Sequence, residues 1–422
     1  MWEEKLRRIL LTFFFVSLPI SVALQQAALG LLLALLAYHG WRHTYARSSP
    51  LDWFVLTFFA ALLLSALLSP AVRSSLFGLR KLWLVGALFV VYHLVREPHE
   101  AWRLVSRMLI VTAAVAVYGI FQYFTGIEVD KQLTGRPSDL TSFLVGGQEE
   151  FRAEGFFPTG ITYAHNLCFS LTLLTARLFA PDLSGRARVP WGVGWGLMIL
   201  ALLFSWTRGV WLAYLLVLLL LGFANGGKGV FAASVCGALI ALSLVLATAG
   251  MRERVQHVFA LEDRRQIWLA NVDMIKERPW FGWGYGNYKQ FREPYYARYP
   301  AAVTHAHAHN NFLQVWVDGG LPALLAFLLL LAKILSIGWQ AYQALPPECE
   351  PVRSLTLGSL FSIVGFLAGG LTQYNFGDAE VVIVFWTMAG IILRVYVRTK
   401  EESQRVSTQE VRVAAVASSK GH

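Results

Sequence analysis

The sequence predicts an all-α integral membrane protein of about twelve spans. Three observations carry that expectation. The 422 residues are 56% hydrophobic and 15% charged, whereas soluble domains carry about 25% charged residues. The apolar residues come in long runs, and a helix needs about 20 such residues to cross a bilayer core. The runs are continuously apolar rather than alternating, which argues against barrel strands.

The runs fall at 9–24, 26–41, 52–69, 76–95, 103–125, 161–180, 190–206, 209–224, 229–250, 310–334, 354–373 and 379–396. The first two are short and parted only by Gln25-Gln26. The N-terminal run lacks a cleavage site and reads as a retained helix. With Arg7 and Arg8 on the cytoplasmic side, Arg42, Arg47, Arg96, Arg103, Arg107, Arg177, Arg186, Arg188, Lys228, Arg394 and Arg398 fall on that side too. That distribution obeys the positive-inside rule and places loops 70–75, 126–160, 207–208, 251–309 and 374–378 outside. The net charge of +10 therefore follows from topology; it is dispersed, and no nucleic-acid partner is expected. Cys168 and Cys236 lie in spans and Cys349 in a cytoplasmic loop, so no disulfide framework is expected. Residues 1–396 form one polytopic domain, and 397–422 read as a disordered cytoplasmic tail.

Two outer loops are long. Loop 126–160 is rich in Gly, Pro, Ser and Thr. Loop 251–309, between spans nine and ten, should contain amphipathic helices and act as a lid. There Asp263 and Gln266 have the spacing of a capping box, and Trp268, Val272 and Ile275 share a helical face. Arg264, beside Arg265, sits one turn earlier on that face. Pro279 should stop the helix near Glu277, and Gly282-Trp283-Gly284-Tyr285-Gly286 should form turns.

The lid ends in His305-Ala306-His307-Ala308-His309-Asn310, at the mouth of a span. His309 can be a helix-border residue in the headgroup layer or a general base, since neutral imidazole accepts a hydroxyl proton near pH 7. Neighbouring arginines would keep it neutral. A metal site from His305, His307 and His309 is disfavoured, because no Cys or carboxylate joins them. Arg208 sits between two spans with almost no loop. It is either a snorkelling anchor or functional, and as an outer cation it breaks the positive-inside trend. Arg80 and Lys81 lie one turn inside the outer end of the fourth run, where guanidinium and ammonium suit a phosphate. With Arg264, these cations and one histidine form a pattern suited to a base beside a phosphate leaving group. The glycines at 282, 284 and 286 lack the βαβ context of a dinucleotide fingerprint. Glu149, Glu150 and Glu154 show no glycosidase-like pairing, and no nucleophile elbow is present.

These residues also carry a resemblance. His309-Asn310 with Gly320 downstream resembles the signature of bacterial O-antigen ligases and their polymerase relatives. Residues 264–288 are similar to that family's long periplasmic loop, 204–213 to its Ser/Thr-Arg-Gly motif, and 152–166 to a stretch before its sixth span. Ala323 departs from a glycine common there. The resemblance implies a GT-C-like glycosyltransferase in the bacterial inner membrane, metal-independent, without cofactor, inverting, and working on the periplasmic face. Its donor would be a polysaccharide on undecaprenyl pyrophosphate and its acceptor a sugar of the lipid A core. His309 would be the base, and Arg208 and Arg264, with Arg80 and Lys81, would hold the pyrophosphate. His305, His307 and Asn310 would support. An O-antigen polymerase of the Wzy type or a protein O-oligosaccharyltransferase is the sibling alternative. A lipid or polysaccharide transporter is the alternative from another class.

Overall fold

A computed structural model describes residues 2–42, 48–133, 137–145, 148–224, 262–299 and 306–419, with isolated positions besides. The architecture is helical. Seven helices among the described residues are long and apolar enough to cross a membrane: Val22–Gly40, Val72–Leu94, Pro98–Thr125, Gly185–Phe204, Asn311–Ala344, Val352–Gly369 and Ala379–Arg405. Asp52–Leu67 and Arg208–Ala224 are shorter apolar helices. The expected ninth span, 229–250, lies almost wholly outside the described residues. Large apolar side chains such as Leu63, Ile110, Phe124 and Phe223 are exposed around the bundle, as suits a surface solvated by lipid.

In chain order the first helices are α1 (Trp2–Ser17), α2 (Val22–Arg42), α3 (Asp52–Leu67) and α4 (Val72–Gly78). A 3-10 segment, Leu79–Val85, then leads into α5 (Gly86–Leu94), followed by α6 (Pro98–Thr125) and the short α7 (Val129–Leu133). One expectation is corrected here. The first two runs part at 18–21, not at Gln25-Gln26; Gln25 lies inside α2, where its amide donates to Leu18 O (2.7 Å). The fourth run is one candidate span, with Arg80 and Lys81 on the 3-10 turn within it.

Loop 126–160 contains an antiparallel hairpin, β1 (Ser142–Val145) and β2 (Gln148–Phe151). It is followed by α8 (Gly160–Leu178), α9 (Gly185–Phe204) and α10 (Arg208–Ala224). Helix α8 is buried along almost its whole length. Its Thr172 and Thr175 hydroxyls each donate to the carbonyl one turn back (2.7 Å), which lets polar residues sit among apolar helices.

The described part of the expected lid comprises α11 (Glu262–Glu277), α12 (Tyr288–Phe291) and α13 (Glu293–Tyr296). Helix α11 stops at Glu277, as Pro279 predicts. It starts at Glu262, so Asp263 lies in the first turn rather than before it. Its buried face is Ile267, Ala270, Asn271, Met274 and Ile275, while Val272 is exposed. The stripe is thus rotated from the expected one, because Tyr288, Tyr295 and Tyr296 supply the partner surface. Arg264, three residues before Ile267, is part-buried; Arg265 is exposed.

The chain closes with α14 (Asn311–Ala344), α15 (Val352–Gly369) and α16 (Ala379–Ser419). Helix α15 packs along α8, α14 along α3, and α16 along α5. Helix α16 runs past its apolar part to Ser419. Residues 397–419 contain neither Gly nor Pro, and Arg398 pairs with Glu402 at 3.0 Å, one turn on.

Helix α14 is broken at Gly320 (φ 73°, ψ −176°). Leu321 N donates not to the helix but to Pro279 O (2.9 Å), and Pro322 has no N–H. The carbonyls of Val317 and Asp318 therefore lose their helical donors. Trp283 N (2.8 Å) and Gly284 N (2.9 Å) replace them, so the lid is stitched into the interrupted span by backbone hydrogen bonds.

Candidate active site

His309 lies just before α14 and is 8% exposed. Its φ of 48° is in the left-handed region. Trp206, two residues before Arg208, has φ 55°, and these are the two described non-glycine residues with positive φ. Such backbone is costly for a side-chain-bearing residue and gathers where function requires it. The His309 Nδ1 lies 2.7 Å from Gln373 Oε1. A carboxamide oxygen can only accept, so Nδ1 carries the proton and Nε2 is the basic nitrogen. His307 holds the opposite tautomer: its Nδ1 accepts from His309 N at 3.3 Å. The two rings are 4.1 Å apart. Asn310 is the N-cap of α14, accepting from Phe312 N (2.9 Å) and Leu313 N (3.0 Å). His305 lies outside the described residues.

The hub of the site is the turn 370–378 between α15 and α16. Asn311 N donates to Gly370 O (2.7 Å), Asn311 Nδ2 to Asn375 Oδ1 (2.6 Å), and Phe376 N to Asn311 Oδ1 (3.1 Å). This fully buried amide ladder fixes the turn one residue from Asn310. Arg208 opens α10 beside the same turn. A Cβ at Gly209 would collide with the Thr372 hydroxyl, next to Gln373. The backbone ahead of Arg208 is gripped by Arg152, which donates to Ser205 O (2.5 Å) and the Thr207 hydroxyl (3.0 Å).

From the lid, Tyr288 donates to Asn271 Oδ1 (2.8 Å) and accepts from the Tyr296 hydroxyl (2.6 Å), which also stands 3.4 Å from His307 O. Burial pushes the Tyr296 hydroxyl up against the opposing pull of Arg292 and Arg264. Arg264 therefore lies within electrostatic reach of Tyr296. Lys81 approaches from the other side of the turn. It lies within electrostatic reach of Asp318 and Asp378 and lines an apolar cavity with Phe58, Tyr285, Phe376 and Trp386. Tyr374 connects the two sides, meeting Tyr285 and standing 5.8 Å from the His307 ring. Burial holds the Tyr374 hydroxyl well above its ordinary range. Arg80 diverges from Lys81 and stacks its guanidinium 3.7 Å over Phe77. A 3-10 turn of about three residues separates neighbouring side chains by roughly 120°. Among the described residues no three His, Cys, Asp or Glu side chains gather as metal ligands.

His309, His307, the Arg208 turn and Lys81 are thus arranged around one turn; Arg264 is placed beside Tyr296, and Arg80 stands off the turn. Gln373, Tyr374, Asn375, Asn311 and Arg152 escape the sequence reading. The signal for the first three was the polar cluster Gln373-Tyr374-Asn375 between two apolar runs.

Fold and site together define a polytopic membrane protein with a basic, histidine-containing site at one end of its helical bundle. Residues 193–328 match the family model described as O-Antigen ligase. This stretch, which holds Arg208, Arg264 and His309, is an O-antigen-ligase-type domain. No curated protein matches the chain.

Proposed function

We propose that the protein is a metal-independent, inverting glycosyltransferase of the bacterial inner membrane. It moves O-antigen polysaccharide from undecaprenyl pyrophosphate to a sugar of the lipid A core on the periplasmic face. The observation that carries this reading is the buried His309, its Nδ1 proton committed to Gln373, beside cations suited to a pyrophosphate. In the proposed step, His309 Nε2 takes the proton of the acceptor hydroxyl. The acceptor oxygen attacks the anomeric carbon from the face opposite the pyrophosphate. The sugar–phosphate bond breaks, and its electron pair leaves on the pyrophosphate. Arg208 and Arg264 hold that charge, with Lys81 and Arg80 as further cations towards the lipid.

The test is transfer by purified, reconstituted protein given lipid-pyrophosphate-linked polysaccharide and core lipid A. Wild type should transfer; His309→Ala should retain donor binding and lose about 10²- to 10⁴-fold in rate. Wild-type transfer by His309→Ala sinks the base assignment. Elongation of a second donor glycan in place of core glycosylation marks the polymerase instead, and glycosylation of an added protein marks the protein transferase.

A further inference from the structure

Resting on the base reading just given, we propose that Gln373 is the positioning residue of His309, selecting the imidazole tautomer whose lone pair is on Nε2. The geometry supplies the reason. His309 is buried and its backbone is held in a left-handed conformation, so its ring direction is set by contacts rather than by a relaxed local minimum. Gln373 is 9% exposed and meets Nδ1 at 2.7 Å, a short and well-formed hydrogen bond. The turn that carries Gln373 is itself fixed. Asn311 binds Gly370, Asn375 and Phe376, and Asn375 Nδ2 donates to Phe366 O at 2.9 Å.

The choice of an amide has a physical consequence. A carboxylate at this position would also accept from Nδ1, but it would favour the imidazolium and repel an anionic leaving group. An amide orients the ring while adding no charge. The other titratable or charged groups around the pair come from every neighbouring element. They are His307 on the same segment, Tyr374 and Asp378 on the turn, and Glu380 at the start of α16. Among the described residues, Arg208 on α10, Arg264 and Tyr296 on the lid, and Lys81 on the 3-10 segment are added to these. Gln373 is the group that meets Nδ1, at 2.7 Å.

Two substitutions in the full-length reconstituted protein test the assignment. Gln373→Leu removes the acceptor; kcat should fall about 10- to 100-fold, as for other residues that orient a functional histidine, with KM changed less than about twofold. Gln373→Glu keeps shape and acceptor. It should restore much of the rate at high pH, while the acidic limb of the pH–rate profile moves up by about one unit or more. Independently of catalysis, ¹⁵N spectra of labelled histidine, with His309 assigned by its loss in His309→Ala, should show the Nδ1–H tautomer in wild type and a mixture in Gln373→Leu. An Nε2–H tautomer in wild type overturns the proposal. So does an unmoved acidic limb in Gln373→Glu, which would reduce Gln373 to packing. If His309→Ala abolishes transfer while both Gln373 variants behave as wild type, the base reading stands and this one falls. If His309→Ala transfers normally, the base reading falls first, and the spectra still report whether Gln373 sets the tautomer.

Discussion

Asp378 sits at the turn that organises the site, and its surroundings oppose its charge. Burial pushes its carboxyl up to about 7, and Glu380 adds to the shift; the Thr162 hydroxyl and Lys81 act in the opposite sense. Between the unfolded value near 4 and the folded value near 7, the folded chain binds more protons than the unfolded one. Stability is therefore highest below that window and is lost as pH rises through it. Asp378→Asn removes the titration. The variant should gain on wild type as pH rises from 4 to 7, by about 2–4 kcal/mol across the window at roughly 1.4 kcal/mol per pH unit. Thermal unfolding in detergent across that range checks it, and parallel pH profiles for the two proteins would contradict the shift. The two left-handed residues, Trp206 and His309, make the same point at the scale of one residue: local cost is concentrated at His309 and two residues before Arg208.

At the scale of elements, the broken helix α14 and the lid form one unit. The conformation of Gly320, with φ 73° and ψ −176°, is open almost only to glycine, and a Cβ there would run into the Trp280 carbonyl. Gly320→Ala should cost about 1–3 kcal/mol in backbone strain alone. It should loosen the 279–288 segment that caps the exposed carbonyls. Hydrogen exchange of the Trp283 and Gly284 amides reads this directly; unchanged protection would show that the junction does not depend on the break. This unit also marks how far the sequence could be read. The apolar runs and the stop at Glu277 were legible, because length, hydropathy and Pro279 act locally. The stitching of Gly282-Trp283-Gly284 to Val317 and Asp318 was not, since it depends on carbonyls freed by a kink some 35 residues away in sequence. The rotated face of α11 was hidden for a related reason: the tyrosines that cover Ile267 and Met274 come from helices of only four residues. His309, Arg208 and Arg264 stood out as candidates because residue type could be set against topology. Gln373 did not, because a lone glutamine acquires its role only from the imidazole that the fold brings to it.

At the scale of the whole molecule, apolar packing alone cannot fix how the helices sit, since lipid tails solvate leucine as well as another helix does. Polar links at the bundle ends must contribute to register. The site is one such end. At the far end of α5, Arg7 of α1 donates to Leu94 O (2.5 Å) and makes a two-pronged pair with Glu100 of α6 (2.8 and 3.1 Å). It also pairs with Glu4 (2.6 Å), and Arg96 N donates to Glu100 (3.0 Å). The Arg7 side chain is 4% exposed and that of Glu100 12%, so neither charge can be left to water. Removing one partner strands the other, at a cost of about 3–5 kcal/mol, whereas removing both charges together can be nearly neutral. Arg7→Ala should therefore lower the unfolding midpoint strongly, and adding Glu100→Gln to Arg7→Met should recover most of the loss. Because the latch is at the opposite end of α5 from Lys81, transfer per folded molecule should stay within about twofold of wild type in both variants. A stable Arg7→Ala would assign the register to apolar packing after all. A stable fold with lost transfer would instead mean that α5 carries strain from the latch to the 3-10 turn holding Lys81.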